Sequence, residues 1–337
     1  MLRSLKKLSQ MIEKDPDLQA IIRSEVLCEI PYKDQLFPIH AFTLGSENPK
    51  HPVLFITGGI HGLERIGVQV VWSLLKTTVD RLRWDQSLRD NLKNIRIAAI
   101  PLVNPVGFER ASRSNGNDVD LMRNSPITAT TRVPPLLGGH RWSKQLPWHR
   151  GEPGKLELEN QALYNYFFQQ AGQSSCVISV DFHSGFGMKD RLWFPYSHTV
   201  EPFEFLPEMN ALTHLFEQTY PYHIYQIEPQ SQGYLMSGDM WDYMLIEFMK
   251  SNPNPYLPLT LEMGSWTWVR KNPIQMFSRG GFFNPIKEHR LKRTYRRHNL
   301  LFEFLMRTLR SKEAWLLPNE KARLSQRRKG LERWYEK

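Results

Sequence analysis

The sequence predicts an α/β fold with a single mixed, mostly parallel twisted sheet, helices on both of its faces, and C-terminal basic helices. Four short apolar runs have the composition of buried strands. They are VLFIT (53–57), IRIAAIPLV (95–103), VISVDF (177–182) and LPLTLEM (257–263). Segments with helical spacing of apolar residues separate the runs. Such alternation of strands and helices favours this class of sheet.

The other elements follow in chain order from residue spacing and turn residues. Residues 2–14 have the pattern of a short amphipathic helix, and 24–44 alternate as two strands around the turn Tyr32–Asp34. Further helices are predicted over 65–78, 156–170, 205–218 and 238–249. The stretch 104–155 lacks a periodic pattern and is predicted to be a long loop, which in compact domains is usually functional or disordered.

Composition and length indicate a large globular unit. Of the 337 residues, 41% are hydrophobic and 12% aromatic, which suffices for an extensive core and excludes global disorder. No apolar run reaches the ~18 residues of a membrane-spanning helix, and the N-terminus lacks the apolar segment of a secretory signal. Because Cys28 and Cys176 are the only cysteines, we expect no disulfide framework and a cytoplasmic location. We predict an N-terminal helical extension (1–22), a central domain (23–285) and a basic helical tail (286–337) packed on it.

The net charge is concentrated at one end of the chain. Sixteen of the 44 Lys and Arg residues, but six of the 34 Asp and Glu residues, lie from Lys287 onward, so this segment accounts for the net charge of +10. Apolar residues recur there at helical spacing, at Leu291, Tyr295, Phe302, Leu305 and Leu309. Two interpretations stay open: the basic face is simply solvated, or it binds an anionic partner. Because zinc-finger and RNA-binding aromatic motifs are absent from the sequence, nucleic-acid recognition is not predicted.

Chemically reactive side chains follow three of the predicted strands. They are His61 and Glu64 after VLFIT, His183 after VISVDF, and Glu262 within LPLTLEM. In open α/β sheets, binding sites form beyond the carboxyl ends of strands, and two histidines with one carboxylate are a common catalytic zinc set. A further carboxylate near the metal can act as a general base. Each residue alone also fits a structural role, but their order and placement favour a metal site.

Four longer segments resemble the motifs of a known family. They are GGIHGLE (58–64), NPVGFERASRSNGNDVDLMRN (104–124), DFHSGFG (181–187) and LTLEMGSW (259–266). Together and in this order they resemble the M14-type zinc carboxypeptidases, whose relatives include the succinylglutamate desuccinylases and aspartoacylases. The resemblance spans about 35–285. It implies a carboxypeptidase-like fold, a catalytic domain at 23–285, and a hydrolase that binds one Zn²⁺ ion.

The resemblance assigns roles at the metal site residue by residue. It implies that His61, Glu64 and His183 are the zinc ligands. Glu262 matches the general base that removes a proton from the attacking water. Asp120 matches the aspartate that orients a ligand histidine, which fixes the tautomer of the ring and raises its basicity.

The resemblance also implies a set of substrate contacts. Arg113 matches the arginine that polarises the scissile carbonyl, and Arg123 the arginine that binds the substrate's terminal carboxylate. The family has an asparagine just before the latter arginine, where this chain has Met122, so an amide donor to that carboxylate is lost. Carboxypeptidases of the family also have a mobile tyrosine that closes over the substrate. The candidates here are Tyr225, Tyr243 and Tyr234. We favour Tyr234.

Three functional hypotheses follow. The leading one is a zinc-dependent amide hydrolase that removes a C-terminal amino acid from a peptide or peptide-like substrate. The second is an N-acyl amino acid deacylase similar to the succinylglutamate desuccinylases and aspartoacylases. This enzyme would differ from a carboxypeptidase in which side of the scissile amide it binds. The third is a non-catalytic binding protein whose basic tail docks on an anionic partner.

Overall fold

Eight strands form one mixed sheet in the computed structural model, which describes residues 1–278 and 280–336. The strands are β1 (Ile22–Tyr32), β2 (Gln35–Gly45), β3 (Val53–Gly58), β4 (Arg96–Ile100), β5 (Val177–Ser184), β6 (Arg191–Phe194), β7 (Gln226–Pro229) and β8 (Tyr256–Met263). Their order across the sheet is β1-β2-β4-β3-β5-β8-β6-β7. The central pairs β4–β3, β3–β5 and β5–β8 are parallel, as is β6–β7, and the other pairs are antiparallel. The predicted sheet class is therefore confirmed.

Helices cover both faces of the sheet. They are α1 (Leu2–Glu13), α2 (Pro16–Gln19), α3 (Arg65–Arg81), α4 (Gln86–Leu92), α5 (Pro105–Arg110), α6 (Leu158–Ala171), α7 (Leu206–Thr219), α8 (Met240–Ser251), α9 (Trp266–Lys271), α10 (Glu288–Arg310) and α11 (Glu320–Trp334). In β5, Asp181 accepts a hydrogen bond from Trp241 of α8, whereas the ring of Phe182 packs against His298 of α10. Because neighbouring side chains of a strand point to opposite faces, α8 and α10 lie on opposite sides of the sheet.

The central strands match the sequence prediction because they are buried on both faces. Every residue of β3, β4 and β5 is buried, which explains the continuous apolar runs in the sequence. The sequence analysis does not predict β6, β7 or α4, which are four to seven residues long and lie outside the four apolar runs. The predicted loop 104–155 contains α5, a 3₁₀ turn at Leu121–Arg123 and an isolated β-bridge between His140 and His149, and is otherwise irregular.

Both ends of the chain pack against the same hydrophobic core as the sheet. The helix α1 contributes Leu5, Leu8 and Ile12 to that core. In α10, the predicted apolar stripe faces inward: Phe302, Leu305 and Leu309 are buried, and Leu291 and Tyr295 are partly buried against the core. The helix α11 packs on α7, and its Arg323 and Arg333 form ion pairs with Glu208 and Glu217 of that helix. Two of the six basic residues of α11 are thus paired with α7.

The described helices and the two cysteines bear on the expectations from composition: no membrane-spanning helix and no disulfide framework. Among the described helices, none combines the length and the apolar character needed to cross a lipid bilayer. Cys28 is partly exposed and Cys176 is buried, and both are free thiols.

Candidate metal centre and active site

The reactive side chains meet at the carboxyl edge of the sheet. After β3, the chain turns through His61 and Glu64 before α3 begins at Arg65. His183 and Glu262 are register partners near the ends of the parallel strands β5 and β8. Gly62 permits this turn: a Cβ atom at this position would lie 1.9 Å from the backbone carbon of Gly107. Only glycine allows this close approach of the two segments.

Three of the predicted residues form a compact cluster of possible ligands. His61 Nδ1 lies 2.8 Å from Glu64 Oε1, and His183 Nδ1 lies 3.1 Å from Glu64 Oε2. One ligand atom from each residue falls within 4.8 Å of the others, and all three side chains are buried. Within the described part of the chain this is the one grouping of this kind. The structure thus brings together the three residues that the resemblance implies are zinc ligands.

The other ring nitrogen of each histidine is held by a carboxylate. His61 Nε2 lies 3.1 Å from Asp120 Oδ1, and His183 Nε2 is hydrogen-bonded to Asp181 Oδ2. Because an ionised carboxylate only accepts hydrogen bonds, each Nε2 carries a proton and donates it. The lone pair of each Nδ1 is then directed at the carboxylate of Glu64. Acceptors that face each other in a buried site require a proton or a metal cation between them, and N/O donors of this type suit zinc.

The charges of the cluster shift the pKa values of its members. For Glu64, burial alone would raise the pKa, but His61 and His183 outweigh burial and lower it. For His183, burial would lower the pKa, yet Asp181 and Glu64 raise it well above its usual value. A proton on the imidazole of His183 therefore supplies a positive charge that a metal ion could supply instead.

Asp181 is a functional candidate that the sequence analysis did not single out. Its Oδ2 accepts hydrogen bonds from His183 and from the indole of Trp241, and its Oδ1 accepts one from the hydroxyl of Thr57. The side chain is fully buried. The available signal was its position two residues before His183, because residues i and i+2 of a strand lie on the same face.

Arg113 connects the cluster of possible ligands to the cavity beside it. Its Nε donates to Asp120 Oδ2 at 2.7 Å, and its Nη1 lies 3.5 Å from Glu64 Oε1. Burial would raise the pKa of Asp120, but Arg113 and then His61 hold it well below its usual value. Asp120 therefore stays ionised, as orientation of a histidine requires. Arg113 itself is partly exposed and lines the cavity.

Glu262 lies in the same cavity, close to the histidine cluster. Its Oε1 accepts a hydrogen bond of 2.9 Å from the backbone N–H of Phe186, and its side chain is 8% exposed. Burial and then the charge of Glu64 raise the pKa of Glu262 to about 8. A buried carboxyl group with a raised pKa is suited to accept and to return a proton near neutral pH.

The cavity has a volume of about 450 Å³ and contains the predicted substrate-binding residues. Arg123 is buried, and its Nη2 lies 3.4 Å from the hydroxyl of Tyr234 and 3.2 Å from the carbonyl oxygen of Leu137. Met122 lines the wall beside it. The geometry also separates the tyrosine candidates. The hydroxyl of Tyr225 is hydrogen-bonded to His298 of α10, and Tyr243 stacks on Tyr164. Neither tyrosine lines this cavity.

Part of the cavity wall is apolar. Trp193, Met236 and Trp241 are among its walls. Two carboxylates also lie there. Asp239 accepts hydrogen bonds from the first backbone N–H groups of α8, and Asp242 accepts them from Ser197 and His198. Burial and then Asp242 raise the pKa of Asp239 to about 7. Both carboxylates are thus engaged in holding the backbone.

Comparisons with known proteins agree on one family. The family model described as zinc carboxypeptidase matches residues 34–277. The chain is 29% identical to carboxypeptidase D of Homo sapiens over 118 residues, which is 31% of this chain and 8% of that protein. It is 31% identical to carboxypeptidase SOL1 of Arabidopsis thaliana over 75 residues, 22% of this chain and 15% of that protein. The chain thus spans a small part of the length of these relatives.

Solved structures share the fold. Thrombin-activatable fibrinolysis inhibitor has a TM-score of 0.67 at 18% identity, with 91% of this chain and 74% of that chain covered. Carboxypeptidase A from Helicoverpa armigera has a TM-score of 0.57 at 17% identity, with 77% and 62% covered. At such identities the likeness concerns the fold alone. The family model, however, covers more than two thirds of the sequence, and we conclude that this chain belongs to the zinc carboxypeptidase family.

Proposed function

We propose that the protein is a zinc-dependent carboxypeptidase that removes a C-terminal amino acid from a peptide or peptide-like substrate. The observation that carries this proposal is the position of Arg123. This buried guanidinium lines the same cavity as Glu262 and the histidine cluster, so one substrate can reach all of them. A planar guanidinium is suited to bind a carboxylate with two hydrogen bonds.

The cluster fits one zinc ion, which His61, Glu64 and His183 would hold. The fit rests on the inward lone pairs of both histidines and on the carboxylates that fix their outer nitrogens. When bound, zinc acts as a Lewis acid that acidifies water and polarises a carbonyl oxygen. The protein residues then perform the proton transfers and the binding.

Glu262 is the proposed general base and acid. Its carboxylate takes the proton from the attacking water and later transfers it to the leaving nitrogen of the amide. The hydrogen bond from Phe186 N–H fixes one oxygen of Glu262 and leaves the other free for this transfer. Arg113, already held by Asp120, points its guanidinium to the cavity, where it stabilises the negative charge that develops on the carbonyl oxygen.

Substrate binding is assigned to the other half of the cavity. Arg123 binds the terminal carboxylate, and the hydroxyl of Tyr234, 3.4 Å from it, is placed to join that contact. The apolar walls beyond these residues suit an apolar or aromatic terminal side chain. Asp239 Oδ1 and Asp242 Oδ2 accept backbone hydrogen bonds, so one oxygen of each carboxylate is engaged in holding the chain.

Met122 is the observation that favours a second candidate, an N-acyl amino acid deacylase. A thioether beside Arg123 cannot donate the hydrogen bond that an asparagine would give to a terminal carboxylate. The substrate could then be held by its acyl side instead. A non-catalytic binding protein is disfavoured, because the ligand, base and arginine positions are all filled by suitable residues.

A mixed substrate pool tests these alternatives directly. Zinc-loaded protein is incubated with peptides that have free or amidated C-termini and with N-acyl amino acids, and the products are identified by mass spectrometry. A carboxypeptidase shortens only the free peptides, by single residues. Cleavage of the acyl amino acids alone would support the deacylase. Absence of all cleavage with zinc bound would contradict both enzymes, and Glu262→Gln serves as the inactive control.

A further inference from the structure

A second cavity lies outside the active site, between the first turns of α10, the end of α9 and the loop 185–190. Its volume is about 350 Å³, within the range of small-molecule pockets (~300–1,000 Å³). Basic side chains from three separate segments surround it. They are Lys189, Lys271, His289 and Arg293, together with Arg290 and Arg297. Trp268, Met188 and Ile224 form an apolar part of the wall.

Among the described residues, most of these basic side chains have no carboxylate partner. Within the described residues, Lys189, Lys271, His289 and Arg293 form no ion pair. Arg290 donates to backbone carbonyl groups. The basic residues of α11 behave differently, since Arg323 and Arg333 pair with glutamates of α7. Two arginines of α11 are thus paired within the chain, whereas the charge of the basic side chains around this cavity remains available.

One carboxylate lines the cavity, and it is already paired with Arg297. Asp190 is buried; its Oδ2 lies 3.0 Å from Arg297 Nη1, and its Oδ1 accepts a hydrogen bond of 2.9 Å from the backbone N–H of Gly264. It cannot neutralise the other cations as well. Several like charges around one concave surface raise the local electrostatic potential, and a bound anion relieves their repulsion.

We propose that this cavity binds a small phosphate-bearing anion. Cations that converge from three segments suit a ligand with more than one negative charge, and Arg and Lys are the usual partners of phosphate oxygens. Trp268 and the apolar wall would contact an organic part of the ligand. The loop 185–190 lies between the two cavities, since Phe186 binds Glu262 on one side and Lys189 lines the basic cavity on the other.

Phenyl phosphate tests the proposal by isothermal titration calorimetry on the full chain at low salt. We expect saturable binding that weakens at least ~10-fold in Arg293→Gln and in Lys271→Gln, because each loses a charged hydrogen bond. The matched control is Arg296→Gln, an equal charge change at an exposed position of the same helix outside the cavity. That variant should bind within ~2-fold of the unmodified protein.

Four outcomes would overturn the proposal. Equal weakening in all three variants would indicate diffuse attraction by the basic face. Unchanged binding in all of them would locate the ligand elsewhere. Equally tight binding of benzenesulfonate, which has a single charge, would contradict the phosphate assignment. Absence of saturable binding would exclude the site. None of these readouts depends on peptide hydrolysis, so they remain informative if the proposed enzyme activity is not found.

Discussion

The Nε atom of Arg113 lies 2.7 Å from Oδ2 of Asp120, and this contact joins the candidate metal site to the proposed substrate cavity. The other oxygen of Asp120 faces His61 at 3.1 Å. One buried carboxylate therefore holds both a histidine of the cluster and the arginine proposed to polarise the substrate. A substitution of His61 or of Arg113 should therefore alter the position of the other side chain.

Arg113→Ala should lower kcat/KM for the cleaved substrate by ~10²–10³-fold, because it removes a charge that stabilises the oxyanion. Arg113→Lys should retain part of the activity, since it keeps the charge but loses the Nε donor to Asp120. The measurement is steady-state kinetics on zinc-loaded protein. Arg110→Ala, which breaks an ion pair with Asp118 away from the cavity, should stay within ~2-fold. Comparable losses in both alanine variants would contradict the assigned role.

Asp181→Asn should weaken zinc binding by ~10–100-fold, because the substituted residue no longer fixes the His183 tautomer as an anionic acceptor. Competition with a chromophoric chelator gives the dissociation constant. Thr57→Val is the matched control, since it removes a different hydrogen bond to the same aspartate. Zinc affinity should change little in that variant. An unaltered affinity in Asp181→Asn would exclude Asp181 as an orienting residue.

Glu262→Gln should abolish turnover while zinc stays bound, with kcat lowered by ~10²–10⁴-fold as for loss of a general base. Activity and metal content are measured on the same sample. Glu228→Gln offers a comparison on the same sheet, since Glu228 of β7 pairs with Arg191 and does not line the cavity. A near-normal rate in Glu262→Gln would show that another group transfers the proton.

Met122→Asn should lower KM for peptides with a free C-terminus by ~10-fold or more, because it supplies an amide donor to the carboxylate beside Arg123. Amidated peptides should gain nothing. The same change at Met236, which is buried in the wall of the same cavity, controls for a more polar pocket. A lower KM for N-acyl amino acids instead, with no effect on peptides, would favour the deacylase.

Glu159 should make stability depend on pH. Burial raises the pKa of this α6 carboxyl group from 4.5 to about 7, and its Oε1 has no hydrogen-bond partner among the described residues. Between these pH values the folded protein keeps a proton that the unfolded chain releases. The free energy of unfolding should therefore fall as pH rises from about 4.5 to 7, by up to about 3 kcal/mol.

Urea denaturation of the protein and of Glu159→Gln at several pH values checks this expectation. The difference in unfolding free energy between the two should grow across the interval, because the glutamine cannot ionise. A constant difference would mean that Glu159 is already ionised, or already protonated, throughout.

The sheet and the convergence of the cluster were predictable, because both depend on strong local signals. Runs such as β3 and β5 are apolar since they are buried on two faces, and parallel strands bring residues at their carboxyl ends together. His61 and His183, more than a hundred residues apart in sequence, meet for that reason. Asp181 was missed because the sequence pattern around an aspartate in an apolar strand does not distinguish a residue that orients a metal ligand from one that caps a turn.

The cavities could not be predicted from local pattern. Arg123 and Tyr234 are far apart in sequence, and their 3.4 Å contact depends on how irregular segments fold back over the sheet. Hydrophobic periodicity carries no information about such segments. The basic cavity shows the same limit: the sequence reveals the excess charge of the tail, but only the fold separates the paired arginines of α11 from the unpaired cations around Trp268.

The packing of α11 against the edge of the sheet has a consequence for folding during synthesis. The indole of Trp334 donates a hydrogen bond to the carbonyl oxygen of Ile227 in β7, the strand at one edge of the sheet, and its ring packs on Phe194 of the adjacent strand. During synthesis this edge stays uncovered until residues 320–334 have left the ribosome. An open strand edge is a template for pairing with other chains. Nascent or truncated chains without α11 should therefore aggregate more readily than chains that contain it, even though the proposed catalytic residues have all been translated.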